Sequence, residues 1–219
     1  MKARGYHSEI MRIRHTVLAI VAIFAVSSSL SLSLQAQDKP SEYATLLAAL
    51  ISGKTDIDYT RLRLSWMDSP EYKNAKDVSS EEKRMMTELN AKEYAKALKD
   101  SETVLASEYV NIDAHFAAFI ANRETGVADK AAFHQLVFGK LIDSILGSGD
   151  GASPEKAWVV ITVHEEYVVL RALGFTPHGQ SVMQKDGHNY DELNVKSNQD
   201  GSEKTLYFNV DIPFKHYGV

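Results

Sequence analysis

Residues 147–173, GSGDGASPEKAWVVITVHEEYVVLRAL, constrain the fold most, because the hydrophobic period of the chain changes inside this stretch. Upstream, apolar residues recur three and four positions apart, the spacing of a helix face. Downstream they alternate with polar ones, the spacing of a strand. Within the stretch, residues 158–163 form a nearly continuous β-branched run that predicts a strand. From His164 onward, Tyr167, Leu170 and Leu173 share a helical face, and Gly174 followed by Phe175 suits the end of that helix. A chain with this order is neither all-helical nor all-strand.

The helical part is predicted over residues 41–147. Ser41 caps a helix carrying Tyr43, Leu46, Leu47, Leu50 and Ile51, and Asp58 opens a second with Tyr59, Leu62 and Trp66 on its stripe, stopped at Ser69-Pro70. Arg61 and Arg63 are read as lying off that stripe, on a solvated face. Residues 71–78 read as a loop, and Ser79 with Glu82 as a capping box opening the helix of Met85, Met86 and Leu89. Residues 92–106, 112–123 and 128–146 complete about six helices, with Asn111 as a cap and Gly126 and Gly147 as terminators. EYAKAL at residues 93–98 and VADKAAF at residues 127–133 set Lys96/Lys130 and Ala97/Ala131 34 residues apart, the tetratricopeptide period. About one and a half such units is too few for a free-standing solenoid.

Residues 148–219 supply the layer on which these helices lean. Asp186-Gly187 and Asp200-Gly201 are turn dipeptides, and Leu193 and Val195 face one way, as do Leu206, Phe208 and Val210. The predicted strands are 158–163, 180–185, 190–196 and 204–212, the last three an antiparallel meander ended by Pro213. The expected fold class is therefore α+β: an N-terminal helical layer, partly tetratricopeptide-like, packed on a C-terminal antiparallel sheet of about four strands with one inserted helix, all within a single domain over residues 37–219.

The first 36 residues stand apart. Arg12, Arg14 and His15 precede an apolar run at residues 16–26 and a Ser/Leu tract ending at Ala36, the pattern of a secretory signal cleaved after Ala36, with translation starting at Met1 or Met11. The apolar run is short for a bilayer span, so no stable membrane segment is expected after cleavage. Location is expected to be secreted or periplasmic. With no cysteine in the chain, disulfides, thiol catalysis and a lipobox anchor are excluded. Cleavage leaves 20 Lys+Arg against 28 Asp+Glu, a net charge of −8, which argues against a nucleic-acid partner.

Six residues are candidates for a binding site: Asp150, His164, Glu165, Glu166, His188 and Asp191. His164-Glu165-Glu166 begins like a metallopeptidase helix, but the second histidine is missing, since Val168 occupies its position. A looser zinc set could join His164 or Glu165 with His178, His188 and Asp191, although no spacing supports it. The plain alternative is that Glu165 and Glu166 serve the first turn of a helix and complement its dipole, at least one of them lying there partly exposed. Ser148-Gly149-Asp150-Gly151 resembles a phosphate loop only in its glycines and reads better as a chain reversal. His115 and His134 read as packing residues. No cofactor and no metal is expected.

SGDG, AWVVITVHEEYVVLRALGF, GHNYDELNV and YFNVDIPF, preceded by DYTRLRLSW, together resemble the bacterial proteins grouped as domain of unknown function 4919, over roughly residues 43–214. That resemblance implies a secreted or envelope protein with no assigned activity and no catalytic residue to transfer. The expected function is a non-enzymatic binding or scaffold module for a protein or peptide partner. The alternative is a hydrolase-like enzyme with a carboxylate/histidine site near the start of the C-terminal part.

Overall fold

The computed structural model describes residues 39–217; the expected signal segment lies outside them. Seven helices come first: α1 (Glu42–Ile51), α2 (Tyr59–Met67), α3 (Pro70–Lys73), α4 (Ser79–Asn90), α5 (Tyr94–Ser107), α6 (Ile112–Glu124) and α7 (Ala128–Leu146). Then follow β1 (Trp158–Val159), α8 (Val163–Ala172), β2 (Phe175–Lys185), β3 (His188–Ser197), β4 (Glu203–Asn209) and α9 (Asp211–Tyr217). Helix starts follow side-chain chemistry: Ser41, Asp58, Ser69 and Asn111 each accept a hydrogen bond from the backbone amide three residues on.

Two readings of the helical part are corrected. Ser79 and Glu82 form no capping box: α4 begins at Ser79 itself, Asp77 accepts from the Ser79 amide, and the Glu82 carboxylate is engaged by Asn111 instead. Residues 71–78 are not all loop, because Ser69 caps a short helix with Pro70 at its first position, where a proline loses nothing. α4 packs on α5, α5 on α6 and α6 on α7, with α4 also touching α6. Small residues, Ala97 of α5 and Ala114, Ala117 and Ala118 of α6, let these helices close on each other and on Met85 and Leu89 of α4.

The sheet is mixed and mostly antiparallel, in the order β1-β4-β3-β2. The strand expected over residues 158–163 shrinks to Trp158–Val159 and runs parallel to β4. Its extension fails for a chemical reason: the Ile161 amide donates to the Glu165 carboxylate (2.8 Å), which turns the chain into α8 rather than along the sheet. β4 likewise stops at Asn209, and Pro213 lies inside α9, not at a strand end.

The alternation does set the faces. Leu193, Val195, Leu206, Phe208 and Val210 are all buried, and they share one apolar cluster with Tyr43, Leu62 and Trp66 of the first two helices and Val137, Leu141 and Ile145 of α7. Among the described residues, no helix is long and apolar enough to cross a membrane.

Candidate functional site

The structure separates the six candidates into four places. Asp150 is exposed in the loop after α7, where it accepts from the Ala152 amide and pairs with Lys156. His188, at the start of β3, donates to Asp211 of α9 (2.6 Å). Glu166 and Asp191 face each other in the interior. His164 and Glu165 line one cleft. Among the described residues, no three His, Asp or Glu side chains are placed to hold a metal ion.

Both glutamates lie in the first turn of α8, as expected, but neither is partly exposed. Both are buried, since α8 presents Glu165, Glu166, Val169 and Leu170 inward and leaves Tyr167 and Leu173 at the surface. Being successive helical residues they point about 100° apart and meet different neighbours.

Glu165 meets Arg63, whose burial overturns the solvated reading. Tyr59, Leu62, Arg63 and Trp66 follow i, i+3, i+4, i+7, and the guanidinium is carried fully into the interior. It donates to Glu165 (2.8 Å), to the Ser144 hydroxyl (3.0 Å) and to the Val159 carbonyl (3.0 Å), joining α2 to α8, α7 and β1. Burial pushes the Glu165 carboxyl above its ordinary value, while Arg63 and the Ile161 amide pull it back down. A guanidinium does not give up its proton, so Glu165 is its counter-charge.

The cleft lies between α2, α4, α6 and α8, with a cavity volume of about 190 Å³. Its apolar lining includes Trp66, Met67, Tyr72, Ile112 and Val168. At its polar part His164 donates through Nε2 to Asp113 of α6 (2.9 Å), a buried carboxylate that Arg171 also holds. The hydrogen bond to Asp113 pushes the imidazole above its ordinary value of 6.5, against burial. A raised value means that this interaction favours the folded state fully below pH 6.5 and fades as pH rises through the folded value.

In the same cleft, the Asn111 amide group bridges two further carboxylates, Glu82 of α4 and Glu108 of the α5–α6 turn. Neither makes an ion pair with a lysine or arginine among the described residues; nearby Arg84 is turned to Glu81 and Asp100. Burial and then the neighbouring Glu82 carboxylate push Glu108 above its ordinary value. A second groove of about 420 Å³ shares Glu82 and His164 and runs along α4 past Met85 and Met86. Sequence reasoning missed Arg63, Glu82, Asp113 and Glu108 as site residues. Arg63 alone left a readable signal, its place on the apolar stripe of α2.

His115 and His134 pack as expected. Since a carbonyl can only accept, His115 Nε2 carries the proton given to Tyr109 O (2.9 Å), so its Nδ1 accepts from His134 Nδ1 (3.0 Å). Burial pushes the two imidazoles down to about 3 and about 4, so both are neutral.

The SGDG loop closes the sheet instead of cradling an anion. The amides of Asp150 and Gly151, which would face a phosphate, both donate to the Lys156 carbonyl (3.0 and 2.8 Å). A Cβ on Gly149 would lie 2.2 Å from that same oxygen, and one on Gly151, at φ +68°, would strike the Trp158 ring at 2.7 Å. Trp158 Nε1 in turn donates to Gly149 O, and the Tyr207 amide to Gly151 O. SGDG, AWVV and YFNV are thus three parts of one packed junction. The same stretches fall within a match, over residues 32–218, to the family described as domain of unknown function DUF4919. The chain belongs to the DUF4919 family. No curated protein and no solved structure matches it. In this DUF4919 chain the glycine-rich motif has a packing role, and the polar cleft stands apart from it.

Proposed function

We propose that this DUF4919 protein is an exported, non-enzymatic binding module that takes a basic segment of a partner protein or peptide in the cleft between α4, α6 and α8. The observation that carries this reading is the Glu82/Glu108 pair, brought together by Asn111 with no lysine or arginine paired to it among the described residues. Two carboxylates held this way repel each other, and a lysine or arginine entering between them relieves that repulsion and gains charge-assisted hydrogen bonds. Tyr72, part-buried at the lining of the cleft, offers aromatic surface to the stem and head of such a side chain. Two adjoining cavities that share Glu82 and His164 suit an extended segment better than a compact small molecule. The acidic balance of the chain after Ala36 agrees with a basic partner. Secretion to the periplasm or beyond rests on residues 1–36 and is tested by fractionating cells that express the full chain.

Calorimetric titration of residues 37–219 with short peptides carrying a central lysine or arginine, against the same peptides with glutamine, tests the binding reading. The basic peptides are expected to bind, with Glu82→Gln and Glu108→Gln each weakening them by roughly tenfold, a change of about 1.4 kcal/mol. Equal binding of basic and neutral peptides, or indifference to both substitutions, rejects it.

One observation favours a second reading, a hydrolase-like enzyme. His164 is oriented by a buried aspartate, as a general base that activates water needs to be. Turnover of a peptide or ester by the wild type that is lost in His164→Gln would establish that reading.

A further inference from the structure

Beyond the cleft, one buried group has no use in binding. Glu166 of α8 is 0% exposed and Asp191 of β3 is 3% exposed, and both Glu166 carboxyl oxygens and Asp191 Oδ1 have no hydrogen-bond partner. Asp191 lies on the inner face of β3 in register with Leu193 and Val195, at a position opposite Phe208 where the alternation calls for an apolar residue. α8 covers that position with a second carboxyl group. Two ionised carboxylates are acceptors only, so three buried oxygens would all be left unpaired and two like charges would adjoin in a medium that stabilises neither. One proton removes the conflict by turning one carboxyl into a donor to the other.

The surroundings provide no substitute for that proton. On α8, Glu165 is committed to Arg63, and Tyr167 donates to Gln180. From β2, Gln180 donates to Asp191 Oδ2 (2.6 Å), which satisfies that oxygen and no other. From α6, which also packs on α8, Asp113 is taken by His164 and Arg171. No lysine, arginine or histidine pairs with Glu166 or Asp191 among the described residues.

We infer that Glu166 and Asp191 form a proton-held clamp between α8 and the sheet, and that losing the proton loosens α8 and with it the wall of the cleft that carries His164 and Glu165. The electrostatics agree with the geometry: burial, then the Asp191 carboxyl, push Glu166 up to about 9. A folded value raised above the ordinary 4.5 stabilises fully below that ordinary value, and the benefit is lost as pH climbs through about 9. The clamp is therefore closed at neutral pH and opens on the alkaline side.

Carboxyl-carbon NMR of wild-type residues 37–219, labelled at glutamate, is expected to show one resonance titrating above pH 7, and Glu166→Gln to remove it. The side-chain amide that this substitution introduces imitates the protonated acid and donates to Asp191 without a proton to lose. Melting temperatures of the wild type and of E166Q, compared from pH 5 to 9, are expected to diverge, with the wild type falling further; Asp191→Asn is expected to flatten the profile in the same way. Amide exchange in α8 is expected to quicken in the wild type relative to E166Q at the same alkaline pH. If every glutamate titrates below pH 6, the clamp is wrong. Calcium or sodium raising the wild-type melting temperature but not that of E166Q overturns it too, by showing that a cation holds the pair. Unchanged exchange in α8 rejects the link to the cleft.

Discussion

Replacing Arg63 by methionine is expected to lower the stability of the protein by about 3–5 kcal/mol, although the substitution puts an apolar side chain into an apolar layer. The loss comes from what is left behind. Glu165 keeps only the Ile161 amide, and the Ser144 hydroxyl and Val159 carbonyl lose their donor. A buried carboxylate without its counter-charge takes up a proton or draws in water, and α8 loses its hold on α2. The double variant Arg63→Met/Glu165→Met is expected to recover much of the loss, since a buried ion pair exchanged for well-packed apolar residues is often neutral or better. Urea denaturation of the two single variants and the double gives the coupling directly. A loss below about 1 kcal/mol for Arg63→Met would place the guanidinium outside the set of essential interior contacts.

Phe208→Ala is expected to cost a similar amount, about 3–5 kcal/mol, for a different reason. Phe208 is fully buried in β4, with its ring 5.4 Å from that of Trp158, and it belongs to the cluster that includes side chains of α1, α2 and α7. Removing the ring opens a cavity that rigid neighbours on both sides cannot fill. Because that cluster spans helices and sheet, the destabilised variant is expected to unfold in one transition, with far-ultraviolet and tryptophan signals coinciding. Separate midpoints for the two signals would show that the layers are independent.

What can be read from the chain follows from the range of the forces involved. Helix caps and strand alternation are local, so Ser41, Asp58 and Asn111, and the inward set from Leu193 to Val210, are legible. The same alternation reaches Asp191, and the stripe of α2 reaches Arg63. Both escape a reading by residue type because a charged residue is seldom fully buried, a rule that fails when a partner waits elsewhere. Glu165 lies 102 residues from Arg63, and His164 lies 51 residues from Asp113, so no spacing rule connects either pair. The face of α8 misleads for a related reason: two glutamates stand where an apolar stripe would place leucines, and the spacing points instead to Tyr167 and Leu173, which are surface residues. The cleft is legible only at His164 and Glu165, because Glu82 and Glu108 come from a separate helix and a turn brought there only by packing.

The partners of Arg63 also bear on the order in which a ribosome delivers them. Ser144, Val159 and Glu165 follow Arg63 by 81, 96 and 102 residues, and Lys215 of α9 reaches back 147 residues to Asp68 beside α2. While the chain is being made, α2 emerges with a charge that it cannot bury until α8 is complete. The first helices therefore wait, partly assembled, for the last third of the polypeptide. A fragment ending at residue 150 is expected to be helical but loosely packed, with amides that exchange rapidly, whereas in the finished chain α2 is locked by α8 and α9.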